Sequence, residues 1–342
     1  MTSDNVMIRE NMRVRASTMD DADAVAELVN AAAVAETGRP DTTAELLLME
    51  WNSPAMNLAA DTRLVFAPDG RLVGYVEVWD EAPPYVRPYV WGCVHPDHTR
   101  QGIGSFLLEW GEARARQNLQ KAPPDARVAV QSSTISTNRA AHELFEARGY
   151  RLVRHFWRMV IDMDPAVPPP APVWPEGIRV RLWRLGQEDR AVFEAVDASF
   201  RDHWGYLPDP FEDWLYWMTQ GPYDDPELRF LAVTDTPEGE EIVGVSLCRA
   251  QRVEDPEMGW LSTLAVRRPW RRQGIALALL RHTFREFHRR GKYRVGLGVD
   301  AANLTGATRL YEKAGMHVSR QWDAYEKELR PGRELSTQTL ES

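Results

Sequence analysis

The stretch LAVRRPWRRQGIALALL, residues 264–280, decides how the rest of the chain is read. A β-rich run ends at Val266, a basic turn follows, and Gly274 stands where the apolar spacing becomes helical. Ala276, Leu280, Phe284 and Phe287 then share one helical face. A near copy, CVHPDHTRQGIGSFLLEW, occupies residues 93–110, with Ile103, Phe106, Leu107 and Trp110 on the matching face. The first N–H groups of such a helix have no partner within it. Helped by the helix dipole and by a glycine that lets a ligand come close, they form an anion site suited to phosphate. Arg267, Arg268, Arg271 and Arg272 add positive charge to the second copy, while His98 and Arg100 add less to the first. The turn lacks the three glycines of a dinucleotide-binding fingerprint and the Gly-Lys-Ser/Thr of a P-loop.

Working outward, the copies extend over about half the chain each. MRVRASTMDDADAVAELVNAAA from Met12 matches IRVRLWRLGQEDRAVFEAVDAS from Ile178, and LVGYVEVW from Leu72 matches IVGVSLCR from Ile242. The third block is the glycine turn, and the fourth pairs NRAAHELFEARGY, residues 138–150, with NLTGATRLYEKAGM, residues 303–316. So long a unit is a duplicated domain and not a solenoid repeat. We therefore expect domains at 12–163 and 178–330, joined by Asp164–Gly177, whose six prolines make a stiff, extended linker. The polar tail from Arg330 is assigned no structure. In each half β-rich runs meet at a hairpin signal, Pro68-Asp69-Gly70 in the first, and alternate with helical patterns, as in an α/β or α+β fold.

The residues Arg271-Arg272-Gln273-Gly274-Ile275-Ala276 resemble the signature of the GNAT superfamily of N-acetyltransferases: Arg or Gln, two residues, Gly, one residue, then Gly or Ala. The first copy, Thr99-Arg100-Gln101-Gly102-Ile103-Gly104, departs from it only at Thr99. The resemblance implies two tandem domains, each a twisted, mixed and mainly antiparallel sheet flanked by helices. It implies that the turn's amides hold the pyrophosphate of acetyl-CoA, and that strand backbone at Leu264, Ala265 and Val266, or at Gly92, Cys93 and Val94 in the first half, pairs with the pantetheine arm. It also implies an Asn near the cofactor, matched by Asn303, and a Tyr beside the thioester sulfur, matched by Tyr311.

The first copy has Phe145 where the second has Tyr311. A phenol can protonate a departing thiolate, and a phenyl ring cannot. The second half is thus expected to be catalytic, and the first a weakened or noncatalytic copy. Where many family members place a Glu before the cofactor loop, this chain has Trp260 to Leu264, so Glu257, with Asp255 beside it, is the candidate general base. Phe200–Pro226 is rich in aromatic and acidic residues, and His203, Trp204 and Tyr206 are expected to line an acceptor site for an ammonium-bearing molecule. Trp214, with Phe211, Leu215 and Met218 at helical spacing, reads better as core.

Composition sets the outer limits. Hydrophobic residues form 44% of the 342 and charged residues 27%, without an apolar run of membrane-spanning length or a secretory pattern in MTSDNVMIRENMRVR, so a cytoplasmic protein is expected. A net charge of −9 disfavours nucleic acid as a partner. Cys93 and Cys248 lie in strand-like runs and suggest neither disulfide nor metal. The leading expectation is an acetyl-CoA-dependent N-acetyltransferase acting on a primary amine of a small molecule, as a monomer or homodimer. The alternatives are a noncatalytic CoA-binding or regulatory protein and a protein-modifying N-acetyltransferase.

Overall fold

A computed structural model describes residues 12–80, 83–303 and 306–338. The N-terminal stretch before Met12, the tail beyond Gln338, and Leu304 and Thr305 of the fourth block lie outside the described residues. The first repeat supplies β1 (Arg13–Arg15), α1 (Ala22–Thr37), α2 (Ala44–Trp51), α3 (Leu58–Asp61), β2 (Thr62–Phe66), β3 (Leu72–Trp79), β4 (Tyr89–Val94), α4 (Ile103–Gln117), β5 (Val128–Ile135), α5 (Arg139–Ala147) and β6 (Arg151–Asp162). The second supplies β7 (Arg179–Leu182), α6 (Asp189–Phe200), α7 (Phe211–Thr219), β8 (Asp224–Thr236), β9 (Gly239–Arg249), β10 (Met258–Val266), α8 (Ile275–Arg289), β11 (Arg294–Asp300), α9 (Ala307–Lys313) and β12 (His317–Arg330). The α/β class and the duplicated plan expected from the repeats are both present.

The chain forms two compact units, Met1–Arg154 with Trp322–Leu335, and His155–Gln321 with Ser336–Ser342. These differ from the expected boundaries at 12–163 and 178–330, because each repeat gives its last strand to the other unit. Strand β6 pairs with β11 from Phe156↔Asp300 to Asp162↔Arg294, and β12 pairs with β5 from Trp322↔Ile135 to Arg330↔Val128. The sequence repeat marks matching segments, whereas the units follow hydrogen-bonded pairing. Strand order is β1-β2-β3-β4-β5-β12 in the first unit and β7-β8-β9-β10-β11-β6 in the second, antiparallel except at β4/β5 and β10/β11.

Local chemistry explains the main elements. The β2/β3 hairpin turns through Gly70 at φ 88°, a value glycine adopts without strain. In α4 the expected face is buried at Ile103, Phe106 and Leu107, and in α8 at Leu280, Phe284 and Phe287. Each such side chain contributes roughly 1.5–3 kcal/mol. Trp214 is in the core, its ring centroid 5.7 Å from that of Trp183 and 5.3 Å from that of Phe193. The proline-rich linker has neither helix nor strand. It lies along α8, with Arg285 donating to the Pro169 carbonyl at 2.9 Å. The tail, also without helix or strand after Arg330, is nonetheless held: Gly205 N donates to Thr337 O at 2.6 Å, and Thr337 N donates to Tyr206 O at 3.2 Å.

Candidate active site

The two glycine turns have one backbone conformation. Arg100 and Arg272 have φ of 58° and 63°, and Gly102 and Gly274 follow at 87° and 91°. The left-handed region costs an ordinary residue about 1–2 kcal/mol, so its occurrence at one position in both copies marks a functional constraint. No side chain caps α4 or α8, and a Cβ added at Gly102 or Gly274 would meet no atom within 4 Å. Uncapped amides therefore face open space in front of each helix, an arrangement that fits a diphosphate. Among the expected cofactor residues, Arg272 and Gln273 are exposed there. Arg271 is engaged elsewhere: it pairs with Asp202 and donates to Ser199 O at 2.8 Å and Val266 O at 3.2 Å. His98 is paired with Arg71.

Beside each turn two parallel strands part. The β10/β11 ladder runs from Met258↔Arg294 to Leu261↔Leu297 and ends there, although the strands continue to Val266 and Asp300. A register shift between Leu261 and Thr263 in the β9/β10 ladder adds a bulge at the same level. The β10 edge at Leu264, Ala265 and Val266 is thereby left without a β11 partner. The first unit repeats this, for β4 and β5 pair only at Tyr89↔Gln131.

Tyr311 belongs to the buried cluster that contains Leu261 and Leu297, the last pair before the strands part. It is 7% exposed, its hydroxyl has no hydrogen-bond partner among the described residues, and burial pushes its pKa up to about 12. Phe145 is buried to the same degree in the first unit. Its ring centroid is 5.1 Å from that of Tyr325 on β12, whose hydroxyl lies 2.7 Å from His142 Nδ1. A phenol thus stands beside Phe145, brought by a strand from the other repeat. Asn138 caps α5, accepting from Ala141 N at 3.0 Å, and Asn303 accepts from Ala307 N at 3.3 Å at the start of α9. The two asparagines do the same local work despite their unequal spacing.

The expected acceptor residues lie between α6 and α7. His203 packs on Phe200 with ring centroids 4.3 Å apart; burial lowers its pKa, as does the charge of Arg271, while Asp300 and Asp202 oppose this. Trp204 Nε1 donates to Gln338 at 3.0 Å, and Tyr206 donates to Asp197. Burial, then Asp197, pushes the Tyr206 hydroxyl up to about 12.

Glu257 is exposed in the turn before β10. Ser262 is five residues further along, roughly 16 Å in an extended strand, so the structure does not bring Glu257 to the opening. Asp255 is buried and paired with Arg294 at 3.0 Å. Sequence reading passed over the cluster nearer the opening, namely Arg158, Arg252, Glu254 and Trp260. Arg158 lies on β6, which the repeat assigned to the first half, and Glu254 is hidden among the acids around Pro256. Among the described residues no group of acids, histidines or cysteines is arranged to hold a metal, both cysteines are free thiols, and no helix is long and apolar enough to cross a membrane.

Comparison with known proteins agrees with this geometry. The acetyltransferase (GNAT) family matches residues 191–316, and an acetyltransferase (GNAT) domain matches 60–152. The chain is 30% identical over 307 residues to mycothiol acetyltransferase of Salinispora arenicola, covering 88% of this chain and 90% of that one. It is 26% identical over 151 residues to S-alkylcysteine N-acetyltransferase of Bacillus subtilis, covering 40% of this chain and 78% of that one. A solved GCN5-related N-acetyltransferase from Sphaerobacter thermophilus superposes with a TM-score of 0.79 at 42% identity, over 97% of this chain and 100% of that one. A tandem GNAT protein from the clavulanic acid biosynthesis pathway shares the fold, with a TM-score of 0.67 at 17% identity, over 94% of this chain and 100% of that one.

Proposed function

The chain belongs to the GNAT family of acetyltransferases and uses acetyl-CoA, and from that premise we propose that its second unit acetylates the primary amine of a small molecule, with Tyr311 as the acid. The observation that carries this reading is the Tyr311 side chain: 7% exposed, its hydroxyl without a hydrogen-bond partner among the described residues, and packed with the residues at which β10 and β11 part. The names of the relatives, mycothiol acetyltransferase and S-alkylcysteine N-acetyltransferase, support a small acceptor.

Acetyl-CoA supplies a thioester carbonyl open to attack by nitrogen. The amides of Gly274, Ile275 and Ala276 hold its diphosphate, and the unpaired edge of β10 at Leu264, Ala265 and Val266 aligns the arm. The phenol of Tyr311, kept neutral by burial, donates its proton toward the sulfur as the thiolate leaves. The proton of the attacking nitrogen departs through water, because Glu257 stands outside in the turn. His203, Trp204 and Tyr206 close over the acceptor. The first unit retains the backbone cradle without a phenol on α5, which suits cofactor binding with weak transfer or none.

Thiol release from acetyl-CoA with a panel of small amines tests this reading. Tyr311→Phe is expected to lower kcat by roughly 10²-fold or more with acetyl-CoA affinity retained. Turnover equal to that of the unaltered chain removes Tyr311 from the mechanism.

A further inference from the structure

One charged group near the strand opening is oriented but not used up. Arg252 is fixed from two sides: Nε donates to Glu254 at 3.2 and 3.3 Å, and Cζ lies 4.9 Å from the centre of the Trp260 ring. Among the described residues neither Nη of Arg252 makes a hydrogen bond, and the side chain is 37% exposed. Glu254 is 6% exposed and is itself held by Arg158 Nη2 at 2.6 Å, and the Arg158 guanidinium lies 5.4 Å from the same Trp260 ring. An arginine with a purely structural role commonly spends its Nη donors on the contacts that justify it. Here the side that anchors is Nε, and the fork that recognises anions bidentately has no hydrogen-bond partner among the described residues.

Position gives the fork its meaning. Trp260 immediately precedes Leu261, the last residue paired before β10 and β11 part, and its own partner is Gly296. A Cβ at Gly296 would come within 3.1 Å of Trp260 Cζ3, and one at Gly298 within 4.0 Å of Cζ2, so the indole ring lies across β11 where the chain has no side chains. The ring and the two arginines thus lie beside the opening of the strands.

We propose that the Nη fork of Arg252 receives a carboxylate of the acceptor, so that the substrate of the second unit is an amine of the amino-acid class. This rests on the small-amine reading above. The guanidinium attracts the carboxylate and repels an ammonium group, which orients the amine away from Arg252 and toward the opening. Trp260 offers an apolar face to the carbon skeleton between them. A carboxylate suits the fork because two parallel N–H donors match its two oxygens.

The experiment is thiol release from acetyl-CoA with matched acceptors, phenylalanine against phenylalaninamide and methionine against methioninamide, using the full chain and its Arg252→Ala and Arg252→Lys variants. The full chain is expected to prefer each acid over its amide by roughly tenfold or more in kcat/KM, mostly through KM. Arg252→Ala brings that ratio to about one, and Arg252→Lys keeps part of it, with unchanged melting temperature in both. Acids and amides used alike by the unaltered chain, or a preference that survives Arg252→Ala, overturns the proposal and leaves the small-amine reading standing. Transfer to none of the four overturns the proposal; no transfer to any amine of the wider panel overturns both.

Discussion

Arg271 Nη2 donates to the Ser199 carbonyl at 2.8 Å, so the turn that opens α8 is fastened to the last helical turn of α6. The same guanidinium pairs with Asp202 and reaches the Val266 carbonyl. One side chain therefore ties the turn that opens α8, the proposed cofactor turn, to the segment carrying His203, Trp204 and Tyr206. Arg271→Ala is expected to weaken acetyl-CoA binding and raise the acceptor KM together, each by roughly tenfold, the scale of a lost charge-assisted bond. Arg271→Lys restores little, since an ammonium group cannot span three acceptors. Calorimetry and steady-state kinetics check this, and a change in only one constant contradicts the link.

Tyr311, the acid we propose, ionises late. Burial pushes its pKa up to about 12 from an ordinary value near 10, so the phenol keeps its proton throughout the neutral and mildly alkaline range. An acid is lost as pH rises through its pKa, so kcat is expected to show no alkaline fall attributable to Tyr311 below pH 10. A kcat profile that falls between pH 7 and 9, with the fall abolished in Tyr311→Phe, contradicts the assignment.

His203 gives a prediction of opposite sign. Burial first, then Arg271, holds its pKa below the ordinary 6.5, so the unfolded chain takes up a proton before the folded one does. Stability contributed by the neutral ring is present above pH 6.5 and is lost as pH falls below it. Between pH 7 and 5 the melting temperature of the unaltered chain is expected to drop further than that of His203→Gln. Equal drops contradict it.

The repeat, the hairpins, the glycine turns and the buried faces of α4 and α8 were legible because each rests on local signals: periodicity, turn residues and duplicated motifs. Tyr311 was singled out by the resemblance to the family's tyrosine and by contrast with Phe145, and its role as the acid remains our proposal. The exchange of β6 and β12 was not, since Arg151–Asp162 reads as the last strand of its own repeat, and only ladder pairing with β11 shows which unit it completes. That is also why Arg158 and Tyr325 escaped notice, for each works in the unit its repeat does not name. Glu257 drew attention by sequence proximity to the loop, whereas along a strand five residues are a long way.

The packing of α8 on its sheet makes a separate claim. A Cβ at Gly259 would fall on the ring of Phe287, a side chain buried to 0% exposure in the cluster that holds Tyr311. Gly259→Ala is expected to cost about 1–3 kcal/mol and to lower the melting temperature. Gly259→Ala combined with Phe287→Leu recovers part of that loss, and failure to recover any argues against the contact.

The account depends most on the backbone cradle that begins α8. Gly274 holds φ at 91° with open space beyond it, so Gly274→Val both strains the turn and fills the approach to the helix amides. Calorimetric titration of acetyl-CoA into the full chain and into Gly274→Val measures this directly. We predict binding to the second unit that falls by at least tenfold in the variant at a temperature where both ligand-free chains are folded, the strained turn lowering the variant's melting temperature by roughly a few degrees. Equal heats and affinities in the two proteins contradict the claim that this turn holds the acyl donor.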